Sequence, residues 1–117
     1  MRVHRRWFDQ LGDLDPGCFQ NHPKKTGGMS TDWSRYATPE ETRDRALRSD
    51  PADNAVLALG VGAVRAIPAQ IVVHAPIQGE LGIPDNRAHA EVFGPKNAES
   101  RVHFLRIYRL VLALDSR

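Results

Sequence analysis

The feature that most constrains the fold is a strict alternation of polar and apolar residues over positions 87–92, followed by the apolar Phe93. The polar positions are Arg87, His89 and Glu91, and the apolar ones are Ala88, Ala90 and Val92. Successive side chains of a strand point to opposite faces of a sheet, so this pattern predicts a half-buried β-strand. An apolar run at residues 70–77 predicts a second strand, and glycines and a proline between the two predict a loop. We therefore expect an antiparallel hairpin of residues 70–77 and 87–93.

A surface helix is predicted at residues 39–48 by the residues at its start. The Thr38 hydroxyl can accept a hydrogen bond from the backbone N–H of Glu41, whose side chain can reach back to residue 38, which is the arrangement of a capping box. Pro39 stands at the first helical position, where a backbone N–H has no partner within the helix. Few apolar residues follow, so we expect this helix to lie on the surface.

Two further elements complete the predicted core. A short apolar run at residues 56–59 predicts a buried strand. An apolar stripe predicts an amphipathic helix that opens at Asn97 or Ser100 and runs to about Leu114. The predicted fold class is α+β: a small antiparallel sheet of two or three strands with the hairpin at its centre, packed by the C-terminal helix. So thin a core, and the apolar end of that helix, favour a homodimer formed through the helix end.

Residues 1–28 differ from the rest of the chain. They have no periodic apolar pattern and are interrupted by several turn-forming Gly and Pro residues. Two interpretations are open. The segment is either an extension that precedes a single domain at residues 29–117, or an ordered arm that Trp7, Phe8 and Phe19 anchor on that domain.

Composition and charge narrow the class of protein. Hydrophobic residues make up 41% of the 117 and charged residues 26%, which is ordinary globular usage. The one cysteine, Cys18, cannot form an intramolecular disulfide, so a secreted disulfide scaffold is not indicated. No apolar stretch approaches the roughly 20 residues that cross a bilayer, and a net charge of +2 does not by itself predict a nucleic-acid partner. We expect a cytoplasmic protein without a membrane partner.

The strand phases predicted for the hairpin bring polar side chains onto one face. The apolar residues of the second strand face the core, so Arg87, His89 and Glu91 face away from it. The core side of the first strand is then formed by Ile71, Val73 and Ala75. With that phase, His74 projects on the same side as His89, and Asn86 stands beside them at the loop end. We call this predicted group the polar patch.

Three functions are open for the polar patch. In the first, it is the recognition surface of a small binding or interaction protein, with a phosphate or nucleic-acid ligand as one possibility. In the second, the protein is a small hydrolase or nuclease for a phosphodiester or nucleotide: His74 and His89 exchange protons near neutral pH, while Arg87 and Asn86 bind the anion. In the third, His74, His89 and Glu91 hold a metal ion.

No cofactor is predicted. Gly60 and Gly62 lack the third glycine of a dinucleotide-binding loop, because the corresponding position is Arg65.

Two motifs carry a resemblance to other proteins. They are Trp33-x-x-Tyr36-x-Thr38-Pro-Glu-Glu-Thr-Arg43 and Asn86-Arg87-Ala88-His89. With them, most of residues 29–114 resembles a group of small bacterial proteins that has no established activity. The resemblance therefore implies no reaction, but it places weight on the polar positions His74, Asn86, Arg87 and His89. The loop at residues 78–85 is longer than the link usual in that group.

Overall fold

The structure is a computed structural model that describes residues 1–23 and 27–114. In chain order its elements are β1 (Arg2–His4), β2 (Met29–Asp32), α1 (Pro39–Asp44), β3 (Asn54–Ala58), α2 (Val61–Arg65), β4 (Ile71–His74), β5 (His89–Phe93), α3 (Ala98–Ile107) and β6 (Arg109–Leu112). The α+β class is confirmed, but the described residues form six strands rather than two or three. None of the helices in the described ranges is long and apolar enough to cross a membrane.

The six strands form two antiparallel sheets of three strands each. The first sheet has the order β1–β3–β6 and the second has the order β2–β5–β4. One hydrophobic core joins them, because Leu57 of β3, Val92 of β5 and Phe104 of α3 belong to the same buried cluster. A sheet must bury its apolar face against another element. Here the apolar faces of the two sheets and of α3 are buried against one another.

The N-terminal segment is part of this core. Val3 of β1 lies opposite Ala55 of β3 and is 2% exposed. Phe19 is fully buried, and its ring stacks on that of Phe104 with centroids 5.1 Å apart. Trp7 and Phe8 pack against the same cluster.

Cys18 is buried beside Phe19. Burial, followed by the nearby charge of Asp15, raises the pKa of its thiol to about 12. The thiolate is the reactive form of cysteine, so this side chain acts as a small apolar core residue.

The predicted capping box of α1 is confirmed. The Thr38 hydroxyl oxygen accepts from the Glu41 backbone N–H at 3.1 Å, and a Glu41 carboxylate oxygen accepts from the Thr38 N–H at 3.0 Å. The helix ends at Asp44 rather than at residue 48. Leu47 beyond it is 69% exposed, so no apolar contact holds a further turn in place.

The predicted C-terminal helix is correct only as far as Ile107. Tyr108 has an extended backbone (φ −71°, ψ 152°), and the chain continues as β6 on the edge of β3. The apolar run at residues 110–114 has no period that distinguishes a helix from a strand. Pairing with β3 decides the conformation, because it satisfies backbone groups of a strand that is buried along most of its length.

The hairpin of β4 and β5 is confirmed, but the phase predicted for β4 is wrong by one residue. Val72 lies opposite Val92, and His74 lies opposite Ala90. Val72 and His74 therefore share a face with the buried residues of β5, while Ile71 is 57% exposed. Ile71, Val72 and Val73 are all apolar and β-branched, so either phase would place an apolar side chain toward the core. The sequence of β4 therefore does not determine its phase.

The turn after β5 is tightly enclosed. Gly94 has φ +126°, and a Cβ added there would lie 2.3 Å from the carbonyl oxygen of Ala69. Ala69 itself has a positive φ of 66°. Only glycine adopts such a backbone at little cost. Gly94 thereby lets the end of β5 approach the residues just before β4.

Lys96 ties the N-terminal segment to the same turn. Its ammonium group donates to Asn21 Oδ1 at 2.8 Å and to the carbonyl oxygens of Val92 and Gly94 at 3.0 and 2.8 Å. Burial lowers the pKa of Lys96 to about 8. Three acceptors match the three N–H donors of the charged form, so at neutral pH this ammonium serves as a structural donor.

Candidate functional site

Three chain segments meet at one end of the second sheet. Because β2 and β4 both run antiparallel to β5, they end where β5 begins. Asp32 is the last residue of β2, His74 is the last of β4 and His89 is the first of β5. The pairing continues one step beyond the strands, since the Trp33 N–H donates to the Ala88 carbonyl at 2.7 Å. Side chains from distant parts of the sequence are thereby brought together.

Three aromatic rings pack against one another at this end of the sheet. The rings of Trp33 and Tyr36 meet edge to face with centroids 5.3 Å apart, and Trp33 meets His74 in the same way at 5.1 Å. Tyr36 and His74 are stacked at 5.8 Å, with an interplanar angle of 26°. Edge-to-face and offset-stacked rings attract each other beyond the apolar area that they bury, so the three rings hold one another in place.

Two arginines lie over these rings. The guanidinium carbon of Arg87 is 4.0 Å from the centroid of Tyr36, and that of Arg35 is 5.6 Å from the centroids of both Trp33 and Tyr36. Both side chains are exposed. Within the described part of the chain, neither guanidinium is paired with a carboxylate. We call Trp33, Arg35, Tyr36, His74 and Arg87 the aromatic–arginine cluster.

The tautomer of His74 follows from its hydrogen bond. Its Nε2 lies 2.7 Å from the carbonyl oxygen of Arg87. A carbonyl oxygen can only accept, so Nε2 carries the proton and donates it. Nδ1 is then an acceptor when the ring is neutral. The bond also fixes the backbone of Arg87 relative to the rings.

Asp32 anchors the segments that carry the cluster. One carboxylate oxygen accepts from the Thr42 hydroxyl and from the Arg45 guanidinium, both at 2.8 Å, and the other accepts from the Asn86 amide at 2.9 Å. The Asp32 side chain is only 7% exposed. Burial acts to raise the pKa of this carboxyl, but the hydrogen bonds from Asn86, Thr42 and Arg45 together hold the pKa below its ordinary value. Both oxygens are engaged, so Asp32 is a positioning residue.

Asn86, predicted as an anion ligand, is engaged at both ends of its amide. Its nitrogen donates to Asp32, and its oxygen accepts from the Ala88 N–H at 3.0 Å. These bonds shape the chain on either side of Arg87. In the structure Asn86 therefore positions the arginine.

The two predicted histidines do not share a face. His74 lies opposite Ala90, so His89, one residue earlier on β5, points to the other side of the sheet. There its Nδ1 lies 2.9 Å from the Ala75 carbonyl, and Glu91 accepts from the Gly28 N–H at 3.2 Å. The prediction of one polar patch holding both histidines is wrong, because it rested on the wrong phase of β4. Arg87, by contrast, does lie near His74.

The metal site predicted from His74, His89 and Glu91 depends on the same wrong phase. No group of three His, Cys, Asp or Glu side chains suited to a metal ion occurs in the described ranges.

Sequence reasoning missed Trp33, Arg35 and Tyr36 as site residues. The resemblance includes Trp33 and Tyr36 without giving them a role, and it does not include Arg35. The available signal was the spacing Trp-x-x-Tyr with an arginine between, directly after a strand, which places two rings and a cation in one turn.

A cavity of about 540 Å³ lies between the two sheets next to the cluster. Trp33 and His74 contribute to its wall on one side, and Arg109 of β6 contributes on the other. The remaining lining is largely aliphatic.

Comparison with protein-family models, with curated proteins and with solved structures yields no match for this chain. The resemblance to a group of small bacterial proteins stays a prediction.

Proposed function

We propose that this protein binds a small organic phosphate at the aromatic–arginine cluster. The observation that carries the proposal is that the guanidinium groups of Arg35 and Arg87 both lie over the Tyr36 ring without a carboxylate partner in the described ranges. A guanidinium that lies against a ring keeps its N–H donors available at its edge, and phosphate accepts such donors in pairs. The exposed ring of Trp33 offers a planar surface for an aromatic part of the ligand.

The geometry favours binding over hydrolysis. Acid–base catalysis of the kind predicted requires both imidazoles to reach the same reacting group. His74 and His89 point to opposite sides of the sheet. The imidazole of His74 remains beside the cations. Its Nδ1 has no partner among the residues that the structure describes and can accept a hydrogen bond from a ligand when the ring is neutral.

We expect Arg87→Gln and Arg35→Gln each to weaken binding of phenyl phosphate at least tenfold. A hydrogen bond to a charged group contributes about 1.5–3 kcal/mol, which corresponds to a factor of about 10 to 150 in affinity. Titration calorimetry measures the dissociation constant. Quenching of Trp33 fluorescence in a Trp7→Phe background, where Trp33 is the only tryptophan, reports binding at the cluster itself.

The matched control is Arg65→Gln, which removes an exposed arginine at the end of α2. It should leave the affinity for phenyl phosphate unchanged. The proposal is contradicted if the wild-type protein does not bind phenyl phosphate at millimolar concentration, or if Arg65→Gln weakens binding as much as Arg87→Gln does.

We also propose a homodimer that forms through β6. Among the described strands, β6 pairs only with β3, so its other edge offers unpaired backbone groups. Leu110 on this strand is 50% exposed and does not line the cavity between the sheets. Two copies of β6 paired antiparallel about a twofold axis would satisfy both edges and bring the two Leu110 side chains together. The contact expected at the end of the C-terminal helix lies on a strand instead, because α3 ends at Ile107 and the apolar residues after it form β6.

For this dimer we expect light scattering to give twice the chain mass at tens of micromolar, and Leu110→Lys to give the monomer mass. A lysine on an edge strand opposes edge-to-edge pairing because its charge would be buried between the two copies. Leu47→Lys, at a leucine that is 69% exposed outside β6, is the control and should remain dimeric. A wild-type monomer at these concentrations would disprove the proposal.

A further inference from the structure

The cavity between the two sheets is partly open to solvent and has the size of a small-molecule site. A volume of about 540 Å³ falls in the range of about 300–1,000 Å³ that is typical of small-molecule sites. Small residues make this space, among them Ala90, which is buried, and Ala58.

The walls of the cavity are largely apolar and come from both sheets. Val72 and Val92 contribute from the second sheet, Val56 and Val111 from the first, and Val64 from α2. Apolar surface gains about 25 cal/mol per Å² when it is removed from water. The body of a ligand that fits this space is therefore a hydrocarbon chain or ring.

The charges at the cavity select an acidic ligand. Asp32 is part of the lining, but both its oxygens accept hydrogen bonds and its charge is compensated by Arg45. Arg109 also belongs to the lining, and no carboxylate of the described ranges is paired with it. Met1 lines the cavity too, but its α-amino group donates to the Leu57 carbonyl at 2.7 Å, and burial lowers the pKa of this group to about 6. The charge left for a ligand among the described lining residues is thus the cation of Arg109.

We infer that the cavity is a second binding site, which takes an aliphatic carboxylic acid of medium length. The hydrocarbon chain lies between Val61, Val72 and Val111, which line the cavity and are at least partly exposed. The carboxylate pairs with the guanidinium of Arg109, whose fork of N–H donors matches the two oxygens. This site differs from the proposed phosphate site, because its cation is Arg109 on the first sheet.

The test is a series of straight-chain carboxylates from butanoate to decanoate, each below its micelle concentration, with 1-octanol as the uncharged analogue of octanoate. Calorimetry should show affinity rising up to about fourfold for each added methylene, which corresponds to about 0.8 kcal/mol per buried CH₂, until the cavity is filled. Octanoate should bind at least tenfold more tightly than 1-octanol.

Three variants locate the ligand. Arg109→Gln should remove the preference for octanoate over 1-octanol while the dependence on chain length remains, and Arg106→Gln, an exposed arginine of α3, should change neither. Ala90→Leu should weaken the longer acids by occupying the cavity. If Ala90→Leu does not fold, Val61→Trp serves instead, because Val61 lines the cavity but is 38% exposed.

Equal affinity for butanoate and octanoate would overturn the inference, as would equal affinity for octanoate and 1-octanol or an unchanged preference in Arg109→Gln. Loss of octanoate binding in Arg87→Gln but not in Arg109→Gln would also overturn it, because the acid would then lie at the aromatic–arginine cluster. A failure of phenyl phosphate to bind tests only the proposed function and leaves this result standing.

Discussion

Replacing Gly94 by alanine is expected to lower the free energy of unfolding by about 3–5 kcal/mol, at the upper end of single-residue effects. The added Cβ would lie 2.3 Å from the Ala69 carbonyl oxygen and 2.8 Å from the side-chain amide of Gln70. Neither group can move away easily. Ala69 already has a positive φ, and Gln70 is 4% exposed with its amide nitrogen donating to the Pro95 carbonyl at 2.8 Å. The φ of +126° at Gly94 adds backbone strain.

Urea unfolding followed by circular dichroism measures this loss, and Gly62→Ala is its control. Gly62 lies within α2, and a Cβ added there meets no atom within 4 Å. Alanine is the better helix former by about 1 kcal/mol, so this variant should be as stable as the wild type or slightly more so. A Gly94→Ala variant within about 1 kcal/mol of the wild type would show that the turn after β5 is not as rigid as its contacts imply.

Asp32→Asn is expected to lower the free energy of unfolding by about 2–4 kcal/mol at neutral pH, because breaking a buried ion pair leaves its partner without compensation. Arg45 would lose its counter-charge, and an amide N–H₂ group would face a donor at one of the positions now occupied by a carboxylate oxygen. The effect falls short of a fully buried pair because the Arg45 side chain is 31% exposed.

The same residue makes stability depend on pH on the acid side. The pKa of Asp32 is lowered in the folded protein, whereas an unfolded Asp titrates near about 3.9. Between the two values the unfolded state binds more protons. The contribution of Asp32 is therefore present in full above about pH 5 and is lost as the pH falls through the folded pKa. In Asp32→Asn this part of the acid loss should be absent.

Unfolding curves in urea at neutral pH and near pH 3 test both statements. Asp44→Asn is the control, since that side chain is 61% exposed in its pair with Arg43, and exposed pairs contribute about 0–1 kcal/mol. Equal losses in the two variants, or an unchanged acid dependence in Asp32→Asn, would show that Asp32 does not anchor the site.

Local rules predicted the local parts of the fold. The capping box at Thr38 depends on residues three positions apart, and the alternation in β5 depends on neighbours, so both were readable from the sequence. The phase of β4 and the end of the last helix before Tyr108 could not be read from the sequence in this way. Three β-branched residues in a row leave β4 free to present either side to the core, and its register with β5 selects one side. The chain after Tyr108 is extended where it pairs with β3. Both outcomes depend on pairing with another strand, which the local pattern does not specify.

Some residues of the candidate site could likewise be predicted from the sequence, and others could not. Arg87 and His74 were predicted to lie together, but from the wrong phase of β4. They meet because Arg87 lies in the turn before β5, where its carbonyl accepts from His74. Trp33 and Tyr36 were missed as site residues because they reach the hairpin only through the pairing of β2 with β5. Nothing in the sequence of residues 29–32 specifies that partner, since a four-residue strand carries too little pattern to select one.

The pairing of distant segments also governs how a newly made chain folds. β1 pairs with β3, β2 pairs with β5, and Phe19 stacks on Phe104 near the other end of the chain. Contacts between residues so far apart in sequence form slowly, because the entropy of closing a long loop is lost before the contacts stabilise the chain. During synthesis Val3 and Phe19 are made before Phe104, so the buried cluster that they share with Phe104 cannot be completed until Phe104 has left the ribosome. Until then these apolar side chains lack their buried partners and are open to chaperones.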